Sequence, residues 1–217
     1  MRPCFCLRDN ISSEDKMFWD KVAGVYDIFV NVFNRSVHKE LRAVVADLIR
    51  PGSTVLECAC GTGMLTEVMA PRCGRLVATD FSSKMLKRAE RKCSVFENIK
   101  FEYADITCLQ YSASSFDCVV AANVIHLVED SSAAVAELVR VAKPGGTLVI
   151  PTYINKKSNG QDSGFSKTLA RAGAGFKRQF DFDSYKKFIS GCGLGDAEFI
   201  LISGRVPCAV AIAKKEG

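Results

Sequence analysis

Thr54-Val55-Leu56-Glu57-Cys58-Ala59-Cys60-Gly61-Thr62-Gly63 is the stretch on which the fold turns. A short apolar run ends in an acid and a loop of small residues, and a helix is expected from about Met64. A buried strand running through such a loop into a helix is where an α/β sheet holds a nucleotide-like ligand. Small side chains let the N–H groups of the loop and the new helix approach a bound anion. An acid at the strand end disfavours a polyphosphate there, and a ligand carrying both an amine and a carboxylate fits better.

Upstream of that stretch, apolar positions at Val37, Leu41, Val44, Val45 and Leu48 recur every three or four residues until Pro51-Gly52, which marks an amphipathic helix and its stop. Earlier still, Phe18-Trp19, Tyr26, Phe29 and Phe33 fall at roughly helical spacing and form one apolar face, read as a cap over something else. Residues 1–35 are therefore taken as an N-terminal extension and helical cap, and 36–217 as the main domain.

Downstream, strands and helices alternate. Strands are expected at Val55–Ala59, Arg75–Asp80, Ile99–Asp105, Phe116–Val124 and Thr147–Tyr153, and helices at Met64–Ala70, Lys84–Cys93 and Ser132–Ala142. That rhythm defines an α/β, doubly wound, mostly parallel sheet covered by helices on both faces. The end of the chain breaks it: Glu198–Ile202 and Arg205–Ala213 both read as strands with only Ser203-Gly204 between them, so they must form an antiparallel hairpin. A long Gly-, Lys- and Ser-rich stretch from Lys156 to Gly175 precedes a helix whose N-cap is expected at Asp183.

Composition narrows the function. The 217 residues are 48% hydrophobic and carry a net charge of +5, enough to bury one sizeable core without a strong electrostatic demand for a polyanion. The densest basic cluster, Lys84, Lys87, Arg88, Arg91 and Lys92, falls at helical spacing and reads as a solvated face, so no nucleic-acid partner is expected. Of ten cysteines, several, including Cys58, Cys118 and Cys208, lie inside expected strands and read as small apolar groups. Reduced thiols and a cytoplasmic protein are expected. Cys4 and Cys6 have no CxxC partners, so no metal is expected either. The N-terminus lacks an apolar segment of secretory or membrane-spanning length.

Asp80, ending the second strand about twenty residues beyond the glycine loop, stands where a carboxylate accepts from both hydroxyls of a ribose. Its other reading is a helix cap shared with Ser82 or Ser83. An NAD-binding fingerprint fails, because its third glycine would fall on Thr66.

Taken together, the acid and Gly61-Thr62-Gly63 loop after the first strand, Asp80, Asp105 and the terminal hairpin resemble the class I S-adenosylmethionine-dependent methyltransferases. Phe18-Trp19-Asp20 and Ala23-Gly24-Val25-Tyr26-Asp27 resemble the N-terminal pattern of the small-molecule and ubiquinone/menaquinone-biosynthesis group. The resemblance implies a Rossmann-like, seven-stranded sheet of order 3-2-1-4-5-7-6 with a C-terminal antiparallel hairpin, and S-adenosyl-L-methionine as cofactor with S-adenosyl-L-homocysteine as product. It implies that Glu57, Ala59, Cys60, Gly61 and Gly63 wrap the methionine part, with Ala59 departing from the usual glycine. Phe81 and Met85 would flank the adenine. Asp105 would accept from its exocyclic amino group while Ile106 N–H meets a ring nitrogen. Asn123 would lie beside the sulfonium, in a segment without the proline turn of enzymes that methylate nucleic-acid bases. Lys143-Pro144-Gly145-Gly146 resembles the family's structural turn.

Methyl transfer from a sulfonium is an in-line displacement, which needs positioning first and a base only for a protonated acceptor. His126, expected to titrate near neutral pH, is the candidate base, and Tyr26 the candidate catalytic tyrosine. Tyr26 and Tyr153 are expected to wall the acceptor pocket, Phe33 either to join them or, as the preferred reading, to pack in the core, and His38 to be a surface or packing residue. The expected acceptor is a small or medium-sized molecule. One alternative is a lipid-like quinone precursor or phospholipid, with membrane contact through Phe29, Val30, Val32 and Phe33. The other is a non-catalytic S-adenosylmethionine-binding sensor or subunit. No oligomeric state follows from the sequence.

Overall fold

The computed structural model describes residues 17, 19–21, 34–155 and 177–217. Tyr26, Phe29, Val30, Val32, Phe33 and the stretch from Lys156 to Gly175 lie outside the described residues, as do Cys4 and Cys6.

Helix α1 spans Arg35–Leu48, and its Val37, Leu41 and Val45, spaced four apart, are fully buried. Ile49 turns extended and Gly52 adopts φ 75°, which ends the helix where Pro51-Gly52 signals it. Strand β1, Thr54–Cys58, then runs through the centre of the sheet. Helix α2 is only Thr66–Met69, extended by a 3-10 turn at Ala70–Arg72, shorter than the expected Met64–Ala70. The left-handed Gly61 and Gly63, at φ 55° and 84°, delay its start.

Strand β2 occupies Arg75–Asp80, α3 Ser83–Lys92, β3 Ile99–Tyr103, β4 Phe116–Ala121, α4 Ser131–Val141 and β5 Ala142–Tyr153. Helix α5, Phe182–Gly191, precedes β6, Glu198–Ile202, and β7, Cys208–Lys214. The seven strands pair in the order β3-β2-β1-β4-β5-β7-β6. Pairing is parallel from β3 to β5, and β7 lies antiparallel to both β5 and β6. Both faces of the central strands are buried. Val55, Val120 and Val149 pack on one side with Val37, Leu41 and Val45, while Leu56, Val119 and Leu148 pack on the other with Leu138, Tyr185 and Ile189. Continuous apolar runs in the strands follow directly from this double burial.

Strands β3 and β4 end at Tyr103 and Ala121, short of the expected Asp105 and Val124, and three further boundaries differ from expectation for physical reasons. Lys143-Pro144-Gly145-Gly146 lies inside β5, as an irregularity where the pairing steps from Phe116–Ala142 to Cys118–Thr147. Asp181, and not Asp183, caps α5: its carboxylate accepts from Ser184 N–H at 2.8 Å, and the Ser184 hydroxyl accepts from Asp181 N–H at 2.9 Å. The reciprocal pair satisfies two otherwise orphaned donors, whereas Asp183 sits in the first turn and pairs with Lys186 at 3.0 Å. The hairpin turn runs from Ser203 to Pro207, longer than Ser203-Gly204, because Pro207 has no N–H and both backbone groups of Val206 bond the Asn34 side chain.

Cys58, Cys118 and Cys208 are buried free thiols, and desolvation pushes each up to about 12. Cys108 departs from the expectation of reduced thiols, being disulfide-bonded. Among the described residues no helix is long and apolar enough to cross a membrane, and no group of three or more His, Cys, Asp or Glu is arranged to hold a metal ion.

Candidate active site

Connections leave β1 in one direction to β2 and β3, and the chain then crosses to β4 on the other side. This reversal opens a crevice at the carboxyl ends of β1 and β4, the place where open α/β sheets bind ligands. Glu57, Asp80, Asp105, Asn123 and Tyr153 all belong to strand ends, or to the residues just after them, along this edge.

Glu57, in β1, is 2% exposed. Its Oε2 accepts from the Thr66 hydroxyl at 2.5 Å, and its backbone oxygen accepts from the Thr79 hydroxyl at 3.0 Å. Desolvation pushes its carboxyl from 4.5 up to about 8, with Asp80 adding repulsion and the Thr66 bond opposing. The group therefore holds its proton at neutral pH and ionises readily beside a cation.

Asp80 ties two loops together. Oδ2 accepts from Gly61 N–H at 2.8 Å and Oδ1 from Ser82 N–H at 2.8 Å, leaving each oxygen a further lone pair. Burial raises its carboxyl to about 6 against the pull of these backbone donors. Helix capping at this junction belongs to Ser82, whose hydroxyl accepts from Met85 N–H at 3.2 Å and donates to Asp20 at 2.5 Å. Asp20 is a participant that sequence reasoning passed over. Its position in the family-like Phe18-Trp19-Asp20 pattern was the available signal.

The loop after β1 corrects one expectation. Cys60 N–H bonds Thr79 O, Gly61 N–H bonds Asp80 and Gly63 N–H bonds Cys60 O, so these three donors are already engaged within the fold. Ala59 takes φ 55° in spite of its Cβ. Gly63 is required by contact as well as by φ: a Cβ there would lie 3.2 Å from Ala89 and 3.3 Å from Cys93 Sγ. Phe81 is half-buried and Met85 buried at the start of α3.

Asp105 follows β3. Oδ1 accepts from both the N–H and the hydroxyl of Thr107, at 2.8 and 2.7 Å. Its Oδ2 is buried and meets no donor among the described residues, and neither does Asn123 Oδ1. Buried acceptors are almost always satisfied, so these two atoms could take donors from a ligand. Ile106 beside Asp105 is buried. Asn123 sits at φ 54°, and its N–H bonds Pro151 O, clamping the end of β4 to β5.

His126 is 4% exposed, and its backbone oxygen accepts from Lys177 and Arg178 N–H. Burial drives its imidazole down to about 4, so it stays neutral at pH 7 and does not titrate near neutrality as expected. Its ring lies 6.3 Å from that of Tyr153. His38 is not a surface residue: it is 3% exposed, and its Nε2 lies 2.5 Å from the Tyr153 hydroxyl. The signal was its position, since His38 shares a helix face with Leu41 and Val45.

Sheet order, switch-point crevice and acidic strand ends define a methyltransferase-type α/β domain. The methyltransferase domain family matches residues 56–150. Demethylmenaquinone methyltransferase of Renibacterium salmoninarum is 35% identical over 147 residues, covering 67% of this chain and 61% of its own. A ubiquinone/menaquinone biosynthesis C-methyltransferase of Hydrogenovibrio crunogenus is 32% identical over 143 residues, covering 62% of this chain and 56% of its own. The chain thus spans about three fifths of the length of these relatives. In fold it is similar to the N-methyltransferase NodS of Bradyrhizobium japonicum solved with S-adenosylhomocysteine, at TM-score 0.71 and 21% identity over 94% of this chain and all of that one. A phosphoethanolamine N-methyltransferase of Haemonchus contortus, solved with S-adenosylmethionine, gives TM-score 0.76 at 14% identity, covering 95% of this chain and 61% of that one. The chain belongs to the class I S-adenosylmethionine-dependent methyltransferases.

Proposed function

We propose that this protein transfers a methyl group from S-adenosylmethionine to a small or medium-sized acceptor by in-line displacement. The observation that supports the reading is the run of acids at successive strand ends, Glu57, Asp80 and Asp105, along the switch-point edge of the sheet, with a buried acceptor on Asp105 that meets no donor among the described residues. Asp105 Oδ2 takes the adenine amino group and Ile106 N–H a ring nitrogen, while Phe81 and Met85 flank the ring. The spare lone pairs of Asp80 take the ribose hydroxyls. Glu57 and the loop through Ala59, Cys60, Gly61 and Gly63 hold the amino-acid end, where the ligand's ammonium favours the ionised Glu57. Asn123 Oδ1 lies beside the sulfonium. When bound, S-adenosylmethionine supplies a methyl group on a good leaving group. The chain's part is to align the acceptor with it, exclude water and manage any acceptor proton.

His126, neutral and buried, shapes the acceptor side. With its imidazole at about 4 it is too weak a base to be matched to neutral pH. Tyr26 retains its candidacy for the acceptor side from the sequence alone.

A quinol-type, lipid-like acceptor is the finer reading, favoured by the activities for which the relatives are named. Calorimetry with S-adenosylhomocysteine tests the first reading and labelled methyl transfer to quinols the second. Micromolar or tighter binding is expected, and absence of any binding would remove the assignment.

A further inference from the structure

His38 stands on α1 and Tyr153 ends β5, yet their side chains meet at 2.5 Å in a largely buried place, and the ring of neutral His126 lies 6.3 Å from that of the tyrosine. A buried helix face rarely spends a position on histidine unless its polar atoms are used. Tyr153 itself is only half-buried, whereas His38 is buried. Tyr153 belongs to the same strand-end edge as Asn123, whose N–H is bonded to Pro151 two residues before Tyr153.

We propose that Tyr153 and His38 form a proton relay for a hydroxylated aromatic acceptor, with Tyr153 Oη contacting the acceptor hydroxyl and His38 Nε2 receiving the proton. The inference rests on the methyltransferase reading above. With its own proton on Nδ1, His38 accepts from the tyrosine hydroxyl through Nε2. The acceptor O–H bond breaks and its proton passes to Tyr153 Oη as the tyrosine proton passes to His38 Nε2. The acceptor keeps the electron pair as a phenolate, which makes the neighbouring ring carbon nucleophilic. That carbon forms the new bond to the methyl group while the methyl–sulfur bond breaks and the sulfur leaves as a neutral thioether. The hydrogen displaced from the ring carbon moves to the acceptor oxygen as aromaticity returns, and on product release the extra proton on His38 Nε2 passes back to Tyr153 Oη as the tyrosine proton passes to solvent. Tyr153 is thus a catalytic residue, and His38 is a positioning residue and proton store acting through it.

The test uses the full chain with 1,4-dihydroxynaphthalene and its 2-chloro derivative, whose ring chlorine makes the hydroxyl more acidic and leaves one neighbouring carbon open. Tyr153→Phe and His38→Gln are compared with wild type; glutamine keeps a hydrogen-bond acceptor but takes no proton. Turnover of the plain diol is expected to fall about a hundredfold in both variants, the loss shrinking severalfold on the chlorinated diol, with S-adenosylhomocysteine affinity unchanged. Equal losses on the two diols, or no loss, would overturn the relay, since a purely structural role penalises both alike. A second readout does not depend on turnover: in protein loaded with S-adenosylhomocysteine, adding the diol is expected to shift the ¹⁵N resonance of His38 Nε2, and not in Tyr153→Phe. A silent His38 in wild type that binds S-adenosylhomocysteine normally overturns the relay alone. Failure of wild type to bind S-adenosylhomocysteine overturns the methyltransferase reading, and the relay with it.

Discussion

The backbone N–H of Gly61 donates to the carboxylate of Asp80 at 2.8 Å, so the loop after β1 and the end of β2 are held by one side chain. Replacing Asp80 with Asn leaves a single acceptor oxygen for two backbone donors, Gly61 and Ser82. It also removes a carboxylate that burial already disfavours, which offsets the stability lost. Asp80→Asn is therefore expected to change unfolding free energy by only about 1 kcal/mol at pH 7. Affinity for S-adenosylhomocysteine should fall at least about tenfold, since a charged acceptor for the ribose hydroxyls goes with it. Calorimetry beside urea unfolding separates the two, and unchanged affinity would dissociate Asp80 from the ligand.

Ala59 at φ 55° occupies a conformation that costs an L-residue about 1 kcal/mol and glycine almost nothing. Ala59→Gly relieves that strain, while the added freedom of the unfolded chain and the loss of a methyl packed on the core oppose it. The expected net gain is on the order of 0.5 kcal/mol, read as a small rise in Tm without loss of ligand affinity. A fall in Tm would mean that the methyl contact outweighs the backbone strain.

Glu57 makes stability depend on pH in a stated direction. Its carboxyl is raised from 4.5 to about 8, so above pH 4.5 the folded chain holds a proton that the unfolded chain has released. Stability therefore falls as pH climbs from about 4.5 to 8 and then levels off, with Asp80 contributing the same sign only up to about 6. Glu57→Gln retains an acceptor for Thr66 and should abolish the decline between pH 6 and 8, a gain on the order of 2 kcal/mol at pH 8. Urea denaturation across that range measures it, and identical slopes for the two proteins would contradict the assignment. Binding S-adenosylmethionine at pH 7 should also release a proton from Glu57, seen as a buffer-dependent binding enthalpy.

Patterns that depend on local physics were legible in the letters. Arg75–Asp80 is a strand with the boundaries its apolar run and terminal acid announce, and Val37, Leu41 and Val45 form the buried stripe their spacing demands. Sheet order followed only through resemblance, because periodicity says which faces are buried and not which strand lies beside which. Misreadings share one cause, a partner remote in sequence or a reciprocal bond hidden by equivalent residues. Asp181 and Asp183 look alike as caps until Ser184 chooses between them, and β7 begins at Cys208 because Asn34 claims Val206 from 172 positions away. His38 reads as an ordinary helix residue until Tyr153, 115 positions on, closes against it. At the candidate site the acids were visible as strand ends, while the engagement of the loop N–H groups was not, since Thr79 O and Asp80 reach them only in the folded sheet.

Asn34 offers the clearest test of how the hairpin is held. Its side chain is buried, with Nδ2 donating to Val206 O at 2.8 Å and Oδ1 accepting from Val206 N–H at 3.2 Å. The same residue's backbone oxygen accepts from His38 N–H at 3.1 Å, so it joins the β6–β7 connection to the first turn of α1. Gly204 shows how close that docking is, for a Cβ there would fall 2.1 Å from Val37 Cγ2. Asn34→Ala leaves a donor and an acceptor of Val206 buried without partners, and about 2–4 kcal/mol of stability should be lost. Asn34→Asp keeps the acceptor for the N–H but sets a carboxylate against Val206 O, so it should lose a comparable amount at pH 7 and recover part of it as acid protonates the side chain. Urea unfolding followed through the single tryptophan, Trp19, reads both. Losses below about 0.5 kcal/mol in both variants would mean that water replaces Asn34, and that the hairpin is held by strand pairing alone.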